Sequence, residues 1–151
     1  MVYRLACIND AENLAECFWN HVDEDEPLNP IEKDAYIHDC SKHIRNRLGI
    51  DLYCWVADVG GRIVSHIFII ITNKVPKPGK TNPKWGRLST VRTIPEYRNQ
   101  GVGSALMEKV IAWSREQQLE ELVVWPSEQS VSFYERAGFK GENDVMEMLF
   151  E

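Results

Sequence analysis

The sequence predicts an α/β protein with one mixed sheet of six to seven strands flanked by about four helices. Its apolar residues switch between a helical and an extended period, which predicts the element order β-α-α-β-β-β-α-β-α-β. Gly60 and Gly61 join the second and third strands as a hairpin, since both residues can adopt positive φ. Residues 121–125 are nearly all apolar, as in a strand that is covered on both faces.

The first half of the chain supplies one strand and two helices before the hairpin. Asn9 or Asp10 can cap the first helix, because a short polar side chain there accepts a hydrogen bond from the first turn. Pro30 suits the start of the second helix, and Gly49 suits its left-handed end. The predicted elements are a strand over residues 2–7, a helix to residue 21, an acidic turn over residues 23–26 and a helix over residues 30–48.

The second half of the chain continues with strands and crossover helices. Ser127 suits the N-cap of the last helix, and Gly138 suits the position just after its end. The predicted elements are strands over residues 52–58, 62–72, 88–94 and 121–125, a loop over residues 74–84, helices over residues 101–118 and 127–137, and one or two last strands over residues 139–150.

Composition and charge narrow the classes of function. The 151 residues fit a single domain of common size, which we expect to span residues 1–151. A balance of 17 basic and 23 acidic residues leaves a net charge of −6, which disfavours a nucleic-acid binder with a broad basic face. The most apolar stretch, residues 63–71, is far shorter than the ~20 residues of a membrane span. Since the N-terminus carries no secretory signal, we expect a cytoplasmic protein.

The cysteines and histidines predict no metal site. The four cysteines are isolated and form no C-x-x-C pair, so neither a disulfide framework nor a zinc site is indicated. His38 and His43 are five residues apart, which places them on different faces of a helix. A site formed by these two histidines with Cys40 is the alternative, and we favour ordinary surface and core-edge positions for all three.

A segment with two glycines between the fourth strand and the third helix predicts a phosphate site. Gly101 and Gly103 let backbone N–H groups approach an anion at a helix N-terminus, and Arg98 adds a positive charge. The segment is not a dinucleotide-binding loop, because Leu106 stands where that pattern needs its third glycine. It also lacks the lysine and the glycine spacing of a Walker A loop. The pattern that remains is R-x-x-G-x-G.

Two sequence blocks together resemble one protein family. The R-x-x-G-x-G pattern is the pyrophosphate-binding pattern of the GNAT acyl-CoA N-acetyltransferases. Residues 127–139 resemble the GNAT signature N-x-x-A-x-x-F-Y-x-x-x-G-F, with Ser127 and Ser130 in place of the usual Asn and Ala. Residues 91–98 also resemble the fourth strand of the family and its exit. The resemblance implies the GNAT fold for the whole predicted sheet.

The same resemblance implies how acetyl-CoA, the cosubstrate, would bind. Its pyrophosphate would lie against the segment after the fourth strand, where backbone N–H groups would supply most of the contacts. Its pantetheine would lie like an extra strand where the fourth and fifth strands separate. The residues implied for the pyrophosphate are Arg98, Asn99, Gln100, Gly101, Gly103 and Ser104, and those implied for the pantetheine are Val91, Thr93 and Ser127. For Ser127, a plain helix cap is the alternative role.

Tyr134 is the residue that the resemblance implies as general acid. After an amine attacks the thioester, a CoA thiolate must leave, and a neutral phenol with a pKa of ~10 can give it a proton. The alternative is that Tyr134 and Phe133 are aromatic packing. The sequence names no general base, because residues 88–94 hold no Asp, Glu or His. His66 on the neighbouring strand and a water chain are the open alternatives.

The resemblance as a whole implies an acetyl-CoA-dependent N-acetyltransferase that acts on a primary amine of a small molecule or protein by direct transfer in a ternary complex. No cysteine lies in the matched motifs, which argues against an acyl-cysteine intermediate. The alternative is a non-catalytic module of the same fold that senses acyl-CoA. Acidic residues 23–26 would favour a cationic acceptor, whereas Arg92 and the lysines of residues 74–84 would favour an anionic one. The acceptor and the oligomeric state stay open, and a homodimer is among the states.

Overall fold

A computed structural model describes residues 1–142 and 145–150 of the chain, and its elements follow the predicted order as far as the last helix. The strands are β1 (Val2–Leu5), β2 (Leu52–Val59), β3 (Arg62–Asn73), β4 (Lys84–Thr93) and β5 (Leu122–Val124). The α-helices are α1 (Ala11–Asp25), α2 (Lys33–Arg47), α3 (Val102–Glu116) and α4 (Val131–Ala137). No helix of the described residues combines the length and the apolar character needed to cross a membrane.

The strands form one mixed sheet with the spatial order β1-β2-β3-β4-β5. β1 to β4 pair antiparallel with their neighbours, and β5 pairs parallel with β4, as the crossover through α3 requires. Gly60 and Gly61 both have positive φ, 60° and 91°, which confirms the predicted hairpin between β2 and β3. Gly49 also has positive φ, 83°, just after α2.

The sheet has five strands, so the prediction of six to seven is wrong for the described residues. No strand forms in the described parts of residues 139–150; Asn143 and Asp144 lie outside the description. Met146 and Phe150 are 95% and 87% exposed, so their side chains gain little from burial. Alternating apolar residues show that a segment can form a strand, but the strand forms only where a partner backbone lies alongside it.

Two helices cover each face of the sheet. On one face, Leu14 of α1 and Ile44 of α2 pack in a core with Phe68 of β3. On the other face, α3 and α4 pack in a second core that includes Ile67 and Ile69. Neighbouring residues of β3 therefore belong to opposite cores, as the alternation of side chains along a strand requires.

Two boundaries differ from the prediction in ways that affect the site. α1 continues to Asp25, so the acidic turn predicted over residues 23–26 is instead mostly the last turn of this helix. Carboxylates at a helix C-terminus are unfavourable, and here tertiary ion pairs of Glu24 offset that cost. β4 begins at Lys84 rather than at residue 88, which lengthens the strand that borders the site.

Candidate active site

β4 loses one of its two neighbouring strands halfway along its length. Its parallel pairing with β5 runs from Gly86 to Leu88 and ends there. Its antiparallel pairing with β3 continues to Thr93, after an irregularity opposite Phe68 and Ile69 that leaves Ser89 without a partner in the register. Beyond Leu88, no strand of the described residues pairs with the far edge of β4. This edge can therefore accept an extended ligand through backbone hydrogen bonds.

The chain after β4 turns sharply into the N-terminus of α3. Asn99 and Gly101 have positive φ, 58° and 78°, and the amide of Gln100 donates to the carbonyl oxygen of Glu96 at 2.8 Å. These two features hold the loop in a tight conformation. The first N–H groups of α3 have no carbonyl partner inside the helix, so they and the helix dipole favour an anion at this end.

A cavity of about 330 Å³ lies at this helix end. The cavity wall combines the end of β4, the loop, the first turn of α3 and one side of α4. Six of the predicted cofactor residues line this cavity: Thr93, Arg98, Asn99, Gly101, Gly103 and Ser104. The wall also includes Arg136, which the sequence analysis did not assign, although its i, i+3 spacing from Phe133 places both on one face of α4.

Arg98 uses its guanidinium for contacts within the protein. Its Nε–H donates to the carbonyl oxygen of Thr93 at 2.9 Å. Its two terminal nitrogens donate to the two carboxylate oxygens of Glu24 at 3.0 and 3.2 Å. Arg92, whose side chain is buried, also pairs with Glu24. Glu24 thus joins α1 to both ends of the turn that leads out of β4.

Glu24 is a residue of the site that the sequence analysis missed. The sequence predicts an acidic turn for Glu24, whereas in the structure Glu24 lies in the last turn of α1. The spacings of three residues to His21 and four more to Cys17 place all three on one side of this helix. The charges that predicted opposite kinds of acceptor are therefore partners: Arg92 pairs with Glu24. Similarly, Lys74 pairs with Glu120 and Glu121. Glu24, Arg92 and Lys74 are therefore engaged within the protein, so these three charges do not select an acceptor in the way that the sequence suggested.

The three remaining predicted cofactor residues, Val91, Gln100 and Ser127, are not among the residues that line this cavity. Val91 packs at the border of the core between the sheet and α3. Ser127 precedes a 3₁₀ turn over residues 128–130 that leads into α4. The hydroxyl of Ser127 lies 3.0 Å from that of Ser130 and makes no cap hydrogen bond to the backbone. The sequence predicts Ser127 as the N-cap of the last helix, but α4 begins at Val131 with Ser130 in the N-cap position, so Ser127 precedes only the 3₁₀ turn.

Tyr134 lies on α4 and is almost completely buried. Its ring packs edge-to-face against Phe133 and Phe139, with ring centroids 5.2 and 5.6 Å away. Gly138 has positive φ, 103°, and the backbone N–H of Phe139 donates to the carbonyl oxygen of Tyr134, so the end of α4 fixes the ring position. Tyr134 also lines a cavity of about 590 Å³ beside Val124. Burial raises the pKa of its phenol, which keeps the proton on Tyr134 at neutral pH.

His66, the possible base, lies deep in the other core. It is 2% exposed, and its ring packs near those of Phe18 and Phe68. Burial lowers its pKa to about 4, and its Nε2 has no hydrogen-bond partner among the described residues. A buried group with such a low pKa is neutral at pH 7 and binds a proton weakly, so it is poorly suited to act as a base for a cationic amine.

A third cavity, of about 490 Å³, lies on the α1 side of β4. Arg92, Glu24 and Cys17 line it. The end of β4 is therefore reached from the α3 side through the cavity at the N-terminus of α3 and from the α1 side through this one. Among the described residues, no group of three or more His, Cys, Asp or Glu side chains could hold a metal ion.

A comparison with protein families agrees with the motifs. A family model described as the acetyltransferase (GNAT) family matches residues 8–139. Among curated proteins, glucosamine 6-phosphate N-acetyltransferase of Trypanosoma brucei brucei is 30% identical over 128 residues, which make up 85% of this chain and 82% of that protein.

Solved structures show the same fold. A predicted acetyltransferase from Clostridium acetobutylicum, in a structure with acetyl-CoA, has a TM-score of 0.77 at 18% identity and covers 98% of this chain and 95% of its own. An aminoglycoside acetyltransferase from an uncultured soil metagenomic sample has a TM-score of 0.75 at 16% identity, with 99% and 95% covered. An acetyltransferase from Trypanosoma brucei has a TM-score of 0.71 at 22% identity, with 99% of each chain covered.

Proposed function

The chain belongs to the GNAT acetyltransferase family and is an N-acetyltransferase, and we propose that it moves an acetyl group from acetyl-CoA to a primary amine of a small molecule or protein by direct transfer in a ternary complex. The observation that carries the proposal is the open half of β4, which leads directly to the N-terminus of α3. We further propose that residues 1–151 act as one GNAT domain.

The residues around this edge suit the two chemical parts of the cosubstrate. A Cβ built on Gly103 would lie 3.4 Å from Thr93 Oγ1 and 3.5 Å from Phe133, so glycine leaves space there that a side chain would fill. Backbone N–H groups of the loop and of α3 would bind the pyrophosphate. The free edge of β4 at Val91 and Thr93 would bind the pantetheine as an added strand. Acetyl-CoA supplies the activated acetyl group.

Tyr134 would act as the proton donor in the second part of the reaction. When the amine has attacked, the sulfur of CoA leaves as a thiolate, and a phenol O–H close to it can donate a proton. Two features of Tyr134 support this role: burial keeps it protonated, and its ring is held by Phe133, Phe139 and the end of α4. A fixed donor costs little reorganisation when the charge develops.

Direct transfer is supported by the positions and the pKa values of the cysteines. Cys17 lines the cavity on the α1 side of β4. Burial raises its pKa to about 11, which keeps it as a thiol at neutral pH and makes it a poor nucleophile. Cys54 is completely buried, and burial raises its pKa as well. A Cys17→Ala variant that folds should therefore retain its transfer activity.

A panel of amines tests the proposed reaction. The purified protein is incubated with acetyl-CoA and each amine, and the release of free CoA thiol is measured together with acetylated product by mass spectrometry. The panel starts with glucosamine 6-phosphate, because a relative at 30% identity is named for that acceptor, and continues with glucosamine, aminoglycosides and lysine peptides. Product formation with one acceptor supports the proposal. Tight CoA binding with no product from any amine would favour the sensor module, and no CoA binding would overturn the proposal.

A further inference from the structure

The cavity at the N-terminus of α3 is lined by two cations, and one of them is already occupied. Arg98 donates its Nε–H to Thr93 and its terminal nitrogens to both oxygens of Glu24. This bidentate pair uses the face of the guanidinium that would otherwise bind a phosphate in the same way. Arg98 therefore connects the loop to α1, and its terminal nitrogens are engaged by Glu24, a carboxylate that it shares with Arg92.

Arg136, unlike Arg98, has no partner within the described residues that engages its guanidinium. It lines the same cavity from α4, and it also lines an adjoining cavity with Ser104 and Glu108. Its side chain forms no ion pair and no hydrogen bond with any residue that the structure describes, including Glu108. An exposed guanidinium with all its donors available therefore points towards the helix end that favours anions.

We propose that Arg136 binds a phosphate group of CoA and that Arg98 is a positioning residue, which holds the loop through Glu24. The inference rests on the proposed function, because it assigns a residue to the cosubstrate site. The chain has a net charge of −6, so attraction of a polyanion has to be local, and Arg136 is the free cation of this cavity wall. The ligand chemistry is a phosphate ester, which is either the pyrophosphate or the phosphate on the ribose.

Calorimetric titration with CoA and with 3′-dephospho-CoA tests Arg136. We expect Arg136→Gln to weaken CoA binding by about 10- to 100-fold, because a charge-assisted bidentate contact is lost. If the loss is much smaller with 3′-dephospho-CoA, Arg136 contacts the ribose phosphate. If it is equally large, Arg136 contacts the pyrophosphate. Either pattern supports the inference, and unchanged CoA affinity in the folded variant overturns it.

Arg115→Gln is the matched control for this titration. Arg115 is also an exposed arginine in the last turn of a helix, but it lies at the far end of α3. Its replacement changes the net charge equally, so CoA affinity should stay within twofold of the parent. Arg136 also suits the dipole of α4, and a purely structural role would lower the melting temperature of Arg136→Gln without changing CoA affinity, which overturns the inference.

Two further results separate this inference from the proposed function. If Arg136→Gln fails to fold, Arg136→Lys keeps the charge but not the planar fork, and we expect it to bind CoA with intermediate affinity. If Arg136→Lys binds CoA as tightly as the parent does, and if added salt weakens its CoA binding by the same factor, a bidentate contact is overturned. If the parent protein itself does not bind CoA, the proposed function fails. If the parent binds CoA and Arg136→Gln binds it equally, only the role of Arg136 fails.

Discussion

Both halves of β4 pair with β3 along one edge, but only the first half pairs with β5 along the other edge. Residues 86–88 lie between β3 and β5, whereas residues 90–93 pair with β3 alone. One glycine lies within the paired half, and another, in the first turn of α3, lies beside the open half. A Cβ on Gly86 would lie 2.9 Å from Leu122, whereas a Cβ on Gly103, beside the open half, would have ordinary contacts of 3.4 Å or more. Gly86 thus allows neighbouring side chains to pack closely against the paired half, whereas Gly103 leaves open space beside the other half.

The largest effect is expected at Tyr134, which packs in one core with Leu88 at the point where the two halves meet. Tyr134→Phe removes the hydroxyl and keeps the ring, so folding and CoA binding should change little. Turnover should fall by about 10²–10⁴, with the lower end expected because water can replace the phenol in part. The acceptor KM should hardly change, since the lost interaction exists mainly in the transition state.

Steady-state kinetics under conditions where chemistry limits the rate would measure this effect. Tyr53→Phe is the control, because Tyr53 lies on β2, which β3 separates from β4, and its hydroxyl donates to the carbonyl oxygen of Gly49. We expect parental turnover in that variant. Turnover of Tyr134→Phe within twofold of the parent would assign Tyr134 to packing alone.

The second effect concerns the open half. Gly103→Ala adds a Cβ that the protein itself tolerates, and alanine favours a helix over glycine by roughly 1 kcal/mol, so stability should be kept or raised. CoA affinity should fall at least about tenfold, because the backbone can no longer approach a ligand closely. Titration with CoA measures it. Equal affinity in the variant and the parent would place the phosphate site elsewhere.

The third prediction concerns the paired half, where a substitution should lower stability and leave CoA affinity unchanged. Gly86→Ala places a Cβ 3.0 Å from Leu119 and 3.2 Å from Ile69, in addition to the close contact with Leu122. Overpacking of this kind costs about 1–3 kcal/mol, so the free energy of unfolding should fall by that amount. The folded variant should bind CoA as the parent does. Denaturant unfolding and CoA titration of the same samples measure both values, and a stable variant with impaired CoA binding would contradict the distinction between the halves.

The smallest effect concerns pH and His66, which lies opposite Arg92 of the open half. Burial lowers the pKa of His66 from 6.5 to about 4 in the folded chain, so between these values the unfolded chain binds the proton and the folded chain does not. Stability is therefore fully present above pH 6.5 and falls as the pH falls towards 4. Between pH 7 and pH 5 we expect a loss of about 1–2 kcal/mol from this group.

Denaturant unfolding at several pH values would measure that loss, with His66→Phe as the comparison. The phenylalanine variant should be less sensitive to pH in this range, whatever its stability at pH 7. Asp10 does not confuse the result, because its ion pair with Arg4 lowers its pKa to about 2, below the range used. An identical pH dependence in the parent and the variant would show that His66 is not the group that titrates.

Local patterns predicted most elements because their causes lie within a few residues. Gly60 and Gly61 adopt the positive φ that their hairpin needs, and Gly138 ends α4 as expected. Asp10 shows where such reasoning stops. It lies at the predicted helix start, but its carboxylate accepts from the N–H of Cys7 and pairs with Arg4 instead of capping α1. A polar residue in the sequence can predict where a helix starts, but the tertiary structure determines which group its side chain binds.

The sequence by itself determined the family, the order of the elements and the loop that leads into α3, because each depends on residue types at short spacings. Tertiary structure decided which cation of the site is available. Glu24 and Arg98 are 74 residues apart, and only the packing of α1 beside the end of β4 brings them within hydrogen-bond distance. It also decided that β4 has a free edge, since strand pairing joins distant segments whose contacts no local pattern records.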